Sequence, residues 1–494
     1  MKKLTGSSAL IALLLSTTAV CAEVTAEEVW QGIAGYYTDL GQTVSTGSQE
    51  MQGDTFVITD AVFKNEVPEG GFQASVAEIR LKELGDGRVE MTMSEEVPVT
   101  VTTKPETGEA VDMAMNVTHS GFAMIVSGSA DDTVYDYTAP EMGFSMDGVK
   151  VDDAEVPLKL NATLSGNSGS YRMTSADGRK VTSDLAAEKL DFAVTAKDPE
   201  GKGTFSASGS LTGLSGTSDV TIPAGVDMTN MHDALQAGVA MDGNFAYTGG
   251  GYVMDFADEN DNMHAQSTGG GGTLHFAMSA DGMSYGGTGK DAKIAVQVSS
   301  FPLPIDLSMA ESAFNFAMPV AKSDEAQPFG LLVKFVGLEV SEGLWGMFDP
   351  AAQLPRDPAT LIVDLSGAAK LLVNILDPKE ADAMGAQPPG ELNALDINEL
   401  KLSAVGAELT GNGALTFDNT AGIPKPLGAV DLQLNGANAL IDKLVAMGFV
   451  PEDQAMGARM MMGLFAVPTG EDALSSKIEF KEDGGVYANG QRVQ

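Results

Sequence analysis

Phe205-Ser206-Ala207-Ser208-Gly209-Ser210-Leu211 alternates apolar or small residues with hydroxyls at every second position. A period of two sends successive side chains to opposite faces, so this stretch reads as a β-strand with one dry and one wet face. The texture extends both ways from it. Residues 55–62, 78–84, 89–93, 97–103, 111–117, 122–127, 158–164, 171–175 and 190–195 alternate before it, and 244–247, 252–256, 273–278 and 293–298 after it. Asp86-Gly87, Asp177-Gly178, Glu200-Gly201 and Asp281-Gly282 separate these runs as antiparallel hairpins require. The expected fold class is β-rich α+β: a long antiparallel curved sheet, a meander or β-groove, with amphipathic helices and a more helical C-terminal third. So long a sheet must close, fold on itself or curl into a groove.

Helical spacing interrupts this pattern in a few places. Thr25-Ala26-Glu27-Glu28 is a capping box, and Val29, Trp30, Ile33, Tyr36, Tyr37 and Leu40 follow at helical intervals, predicting a helix over 26–40 that Gly41 ends and Trp30 anchors. A short helix is expected near 227–237, and apolar helices over 366–376, 437–447 and 451–465. Strands over 394–404, 407–417 and 429–435 lie between them, and 477–489 closes the chain as a hairpin. The expected organisation is a leader over 1–22, a β-meander region over 23–320 and an α+β C-terminal region over 321–494.

Lys2 and Lys3, an apolar run over 9–15 and Val20-Cys21-Ala22 form a secretory signal, which predicts export to the periplasm. A retained anchor and lipid attachment at Cys21 are the rival readings. The apolar run is short for a 30 Å hydrocarbon core, and Val20 stands where lipoprotein processing takes a smaller residue. Cys21 is the only cysteine, so the processed chain has no thiol for disulfides, metal sites or nucleophilic catalysis. No later stretch is apolar enough to span a bilayer. The full chain carries 29 basic and 68 acidic residues; losing the two lysines of the leader leaves 27 against 68, a formal charge of −41. Such a surface repels nucleic acid and anionic lipid headgroups, while 43% hydrophobic content argues for a folded body.

The sequence nominates no catalytic, cofactor-binding or metal-binding residue. Gly282-Met283-Ser284-Tyr285-Gly286 has the spacing of a nucleophile elbow but runs on into an alternating strand with no helix, so it reads as a hairpin. His119, His232, His264 and His275 occur singly. Asp258-Glu259-Asn260-Asp261-Asn262 begins like a calcium loop but has Met263 and Gly269 where such a loop needs glycine and glutamate, and reads as an acidic turn. Met460-Met461-Met462 is taken as core packing, with an adaptable apolar surface as the alternative.

Leu344-Trp345-Gly346-Met347-Phe348-Asp349-Pro350 with Leu354-Pro355-Arg356-Asp357-Pro358, and Gly411-Asn412-Gly413-Ala414-Leu415-Thr416-Phe417-Asp418 running on to Leu440-Ile441-Asp442-Lys443-Leu444 and Asn489-Gly490-Gln491-Arg492, carry a family resemblance. They resemble the exported Gram-negative family catalogued as domain of unknown function 2125, which supplies no active site. The strand and helix texture ending in a hairpin is more loosely similar to AsmA-like periplasmic proteins, a resemblance that implies a curved sheet with an apolar groove. Within the motif Trp345 reads as a core anchor and Arg356 as paired with Asp357 in a rigid turn.

The function expected from these readings is non-enzymatic: an exported body that binds a lipid-like ligand or scaffolds the cell envelope. The alternative is a secreted hydrolase using acidic catalytic residues. The carrier reading predicts that the dry face is an open apolar groove and not a filled core, and the hydrolase predicts a cleft where two carboxylates converge with perturbed pKa values.

Overall fold

The computed structural model describes residues 23–494 except 40, 68–69, 104–108, 153, 176–177, 200, 229, 378, 381–387 and 421–422. The expected leader over 1–22, with Cys21, lies outside the described residues, as do Asp177 and Glu200 of the expected turns.

Among the described residues, twenty-eight strands form one antiparallel sheet. At its first edge β1 (Thr43–Ser45) and β2 (Ser48–Gln52) pair end to end along β3 (Thr55–Val67), which pairs with β4 (Gly70–Glu83). The C-terminal half of β4 pairs with β5 (Val89–Met93) and its N-terminal half with β6 (Glu96–Thr103). β6 then pairs with β7 (Val111–Ser120) and β5 with β8 (Ala123–Ser129), and both rejoin on β9 (Asp132–Val151), where β10 (Ala154–Val156) also adds. Long strands β11 (Leu158–Thr174), β12 (Gly178–Lys197) and β13 (Gly203–Pro223) follow.

The split then recurs with the same topology. β13 pairs with β14 (Ala240–Tyr247) and β15 (Gly249–Asp258), β15 with β16 (Asn262–Gly269), β14 with β17 (Gly272–Ser279), and both rejoin on β18 (Gly282–Val298). The rest is a meander through β19 (Ile305–Met318), β20 (Gln327–Val340), β21 (Ala359–Leu371), β22 (Gly390–Ala404), β23 (Ala407–Asp418) and β24 (Lys425–Asn435). β24 pairs with β26 (Ala473–Phe480), which carries β25 (Val467–Gly470) and β27 (Val486–Ala488), with β28 (Gln491–Arg492) last. Among the described residues no pairing joins the last strands to the first, so the sheet is open and not a barrel.

A seam crosses the sheet where one residue per strand leaves the ladder. It runs from Asp60 in β3 past the break between β7 and β8 to Gly166, Gly213, Asp291 and Gly337, five residues with φ between 49° and 68°. Glycine and aspartate suit this left-handed region, which penalises most side chains. The consequence is a change of phase: Phe56 and Ile58, then Ala61 and Phe63, are all buried on one side. A strand with unbroken alternation would have turned the second pair to the other face. Polar groups stitch the seam. Asn167 Nδ2 donates to the carbonyls of Leu164 at 2.7 Å and Ala139 at 3.1 Å, His119 Nε2 to Ser94 O at 2.9 Å, and Thr248 Oγ1 to Thr212 O at 3.1 Å. At Gly213 a Cβ would strike the Thr248 hydroxyl.

Helix α1 (Ala26–Asp39) lies over the first strands, and its capping box forms: Thr25 N donates to Glu28 Oε2 at 3.0 Å and Glu28 N to Thr25 Oγ1 at 3.3 Å. Val29 and Trp30 join Phe56, Ile58, Phe63, Ile79, Leu81, Val89, Val126 and Tyr135 in a buried core, with Trp30 edge-on to Phe63 at 6.4 Å. Burial raises the Tyr171 phenol, stacked on Tyr135 at 4.3 Å, above its ordinary range. Helix α2 (Met231–Gln236) packs Leu235 with Val239 and Val320 against Met241, Met278 and Met283. It is shorter than the expected 227–237, starting where Asn230 Oδ1 caps Asp233 N.

Two expectations in the C-terminal region need correction. The helix expected over 366–376 does not form: residues 366–371 belong to β21, hydrogen-bonded to β20 and β22, and 372–376 are bends and turns. Gly367-Ala368-Ala369 is too small to express either period clearly, and pairing on both edges decides the conformation. Helix α3 (Glu342–Phe348), within the family motif, was not anticipated as a helix. Helices α4 (Ala437–Ala446) and α5 (Glu452–Phe465) lie where expected.

Candidate functional site

One row of side chains can be followed through the pairing register across nearly the whole sheet. It passes Phe56, Leu81, Met91, Met124, Tyr137, Gly169, Leu185, Gly216, Phe245, Leu274, Gly287, Phe314, Val333, Val363, Leu400, Gly411 and Leu432. Directly paired residues share a face, so this is one continuous dry surface. A second row beside it holds Phe276, Tyr285, Phe316, Leu331, Leu365, Ile397, Val430 and Ile478. Across the seam, Phe192, Tyr252, Ile294 and Leu307 continue the dry face on the other half of the strands, joined in register through Gly209 and Ser267.

What covers this face changes along the sheet. Under α1 it is a sealed core, with Leu81 0% exposed. From β12 onward it is open: Leu185 is 41% exposed, Leu274 42%, Phe314 40%, Phe316 43% and Tyr285 45%. These half-exposed apolar residues lie in adjoining rows and form a contiguous apolar patch, not scattered single exposures. Covering a half-exposed Phe or Leu with another apolar group recovers on the order of 1 kcal/mol, about half the value for full burial. The opposite face carries Asn244, His275, Asn315, Lys334, Asp364, Lys401 and Asp431, with ion pairs such as Lys334–Glu311 at 2.8 Å and Lys401–Glu408 at 3.1 Å.

The residues singled out in the sequence are dispersed over this frame. His119 is buried in the seam, His264 Nδ1 meets Asp255 at 2.7 Å, and His275 is held between Asn244 and Ser284 on the wet face. Among the described residues no group of three His, Cys, Asp or Glu side chains could hold a metal ion. Asp258 and Asp261 are the expected turn: Asp258 Oδ1 accepts the Asn260 and Asp261 amides, and Asp261 accepts the Ser299 and Ser300 hydroxyls.

Those hydroxyls hold Asp261 below the usual carboxylate range, as Arg88 does Asp86, Arg172 does Asp132 and Thr420 does Asp418. For Asp472 burial pushes upward, but the Ala439 and Asn438 amides outweigh it and the net shift is downward. A general acid working near neutral pH needs the opposite displacement.

Three readings in the C-terminal region are overturned. Met460 is 70% and Met461 55% exposed, in line with Met456 and Leu464 on the outside of α5, so they are not core. Trp345 is only half-buried, beside Phe348 and under the Arg356 guanidinium at 5.5 Å. Arg356 pairs with Glu342 and not with Asp357, and it donates to Asp349 O at 3.2 Å. Fully buried Asp349 accepts the Gln353 and Leu354 amides at 2.9 and 2.8 Å, so the motif folds around this carboxylate. Sequence spacing favoured the neighbouring acid because helix α3, which carries Glu342 over the turn, was unseen.

No helix among the described residues is long and apolar enough to cross a membrane. No curated protein and no solved structure matches the chain. Residues 291–493, from the Asp291 seam position of β18 through the open strands to the end of the sheet, match the family described as Uncharacterized protein conserved in bacteria (DUF2125).

Proposed function

We propose that this protein binds an apolar or amphipathic, lipid-like ligand on the open dry face between β12 and β26. The observation that supports this is the continuous register row in which Phe56, Leu81 and Met91 are buried under α1 while Leu185, Leu274 and Phe314 are about two-fifths exposed. A flexible hydrocarbon chain suits a surface with many equivalent apolar contacts and few fixed polar ones. The strongly acidic charge disfavours anionic headgroups as the source of affinity and leaves the apolar part of the ligand to supply it. The reading includes export to the periplasm, resting on the leader over 1–22.

The test is to purify the processed protein from its native envelope, extract it for lipid mass spectrometry, and titrate the stripped protein with a fluorescent fatty acid. Copurifying lipid and saturable uptake are expected, with uptake weakened about tenfold or more by the double variant Phe314→Asp, Phe316→Asp. Repeated recovery without lipid, together with no uptake on titration, would sink the proposal.

A further inference from the structure

The wet face carries a hydrogen-bonded relay that neither the sequence motif nor the apolar groove accounts for. Asn244 Nδ2 donates to Asp242 Oδ1 at 3.1 Å, Asn244 Oδ1 faces His275 Nδ1 at 3.1 Å, and His275 Nε2 faces Ser284 Oγ at 3.2 Å. The direction of each bond follows from chemistry. The Asp242 carboxylate only accepts, which turns the Asn244 amide nitrogen toward it and leaves Oδ1 for the imidazole. An amide oxygen also only accepts, so His275 donates from Nδ1 and its bare Nε2 accepts the Ser284 hydroxyl proton.

We propose that Ser284 is a nucleophile activated by His275 and that this wet-face site cleaves small acyl esters. Asn244 is the positioning residue that fixes the imidazole tautomer, as the third member of a triad does. In the acylation step Ser284 Oγ bonds to the ester carbonyl carbon while its proton passes to His275 Nε2. The carbon–oxygen bond to the leaving alcohol then breaks, and that alcohol takes the proton from His275. Water, activated by the same imidazole, hydrolyses the acyl-serine and restores the hydroxyl.

The surroundings of Ser284 fit this chemistry. Its register partners on the two neighbouring strands are Ala277 and Ala317, which leave room over the hydroxyl, and it opens onto a groove of about 700 Å³. Gly286, the last position of the Gly282 to Gly286 motif, lies opposite Asn315, whose carboxamide folds over it. A Cβ at Gly286 would come within 2.7 Å of Asn315 Oδ1, so glycine here makes room for the Asn315 side chain beside the site. The site lies on the face opposite the apolar groove and stands independently of the carrier reading.

The test is reaction of the purified protein with a fluorophosphonate probe, peptide mapping of the label, and turnover of p-nitrophenyl butyrate. Label on Ser284 is expected, absent in Ser284→Ala, with about 100-fold slower labelling and turnover in His275→Gln. Asn244→Ala should slow both, and Asn244→Asp, which restores an acceptor at Nδ1, should recover them. Circular dichroism of each variant checks that the sheet is intact. Absence of label, label or turnover that survives Ser284→Ala, or rates unchanged in His275→Gln would overturn the proposal.

Discussion

Leu81 and Phe314 stand in one register row on the same face of one sheet, yet Leu81 is fully buried and Phe314 is 40% exposed. The strands that carry them are built alike, apolar on one side and polar on the other. The difference is α1, whose Val29 and Trp30 fill the space over β3 to β9, while α2 covers only the Met241, Met278 and Met283 corner of the later strands. A sheet face is thus made dry by its strands, but whether it becomes a core or a groove depends on what the chain places over it.

Unfolding in urea should expose this contrast. Leu81→Ala leaves a cavity in the sealed end and is expected to cost about 2–5 kcal/mol. Asn167→Ala removes two seam hydrogen bonds from a buried amide, a loss of about 1–3 kcal/mol. If the seam were only decorative, that variant would unfold with the wild type.

Asp472 caps α4 from a distance, accepting the Asn438 and Ala439 amides at 3.1 and 2.9 Å where Gly436 has no side chain to do so. Asp472→Asn should cost about 1 kcal/mol near neutral pH. Because the folded carboxyl titrates below its unfolded value, the contribution is complete above the ordinary pKa of about 3.9 and fades as pH falls through the folded value. The gap between wild type and Asp472→Asn should therefore narrow on acidification below about pH 4. Smallest of all, Phe314→Ala on the open face is expected to cost less than about 1 kcal/mol, since the ring is already half in water. A loss as large as that of Leu81→Ala would mean the open face is covered in solution.

The alternation at Phe205 to Leu211 was enough to read the strand and its two faces. What it concealed was strand length. Residues 158–164 and 171–175 read as two strands and are one, β11, because Gly166 shifts the phase between Leu164 and Asn167. The signal that could have revealed the seam is a spacing of three inside a spacing of two, as from Ile58 to Ala61, Leu211 to Leu214 and Phe335 to Leu338. The polar site was less legible. Ser284 lay in a recognisable motif, but His275 and Asn244 approach it only across paired strands, and no linear spacing encodes a register.

The sequence by itself determined the strand texture, the capped first helix, the acidic surface and the resemblance carried by the C-terminal motifs, because each depends on residues close together in the chain. Strand pairing and packing decided that the phase shifts align into one seam, that α1 seals one end of the dry face and α2 a corner of it while Leu274 and Phe314 stay open, and that His275 meets Ser284. Those outcomes depend on which strands pair and on what lies over them, contacts between segments far apart in the chain that local periodicity cannot specify.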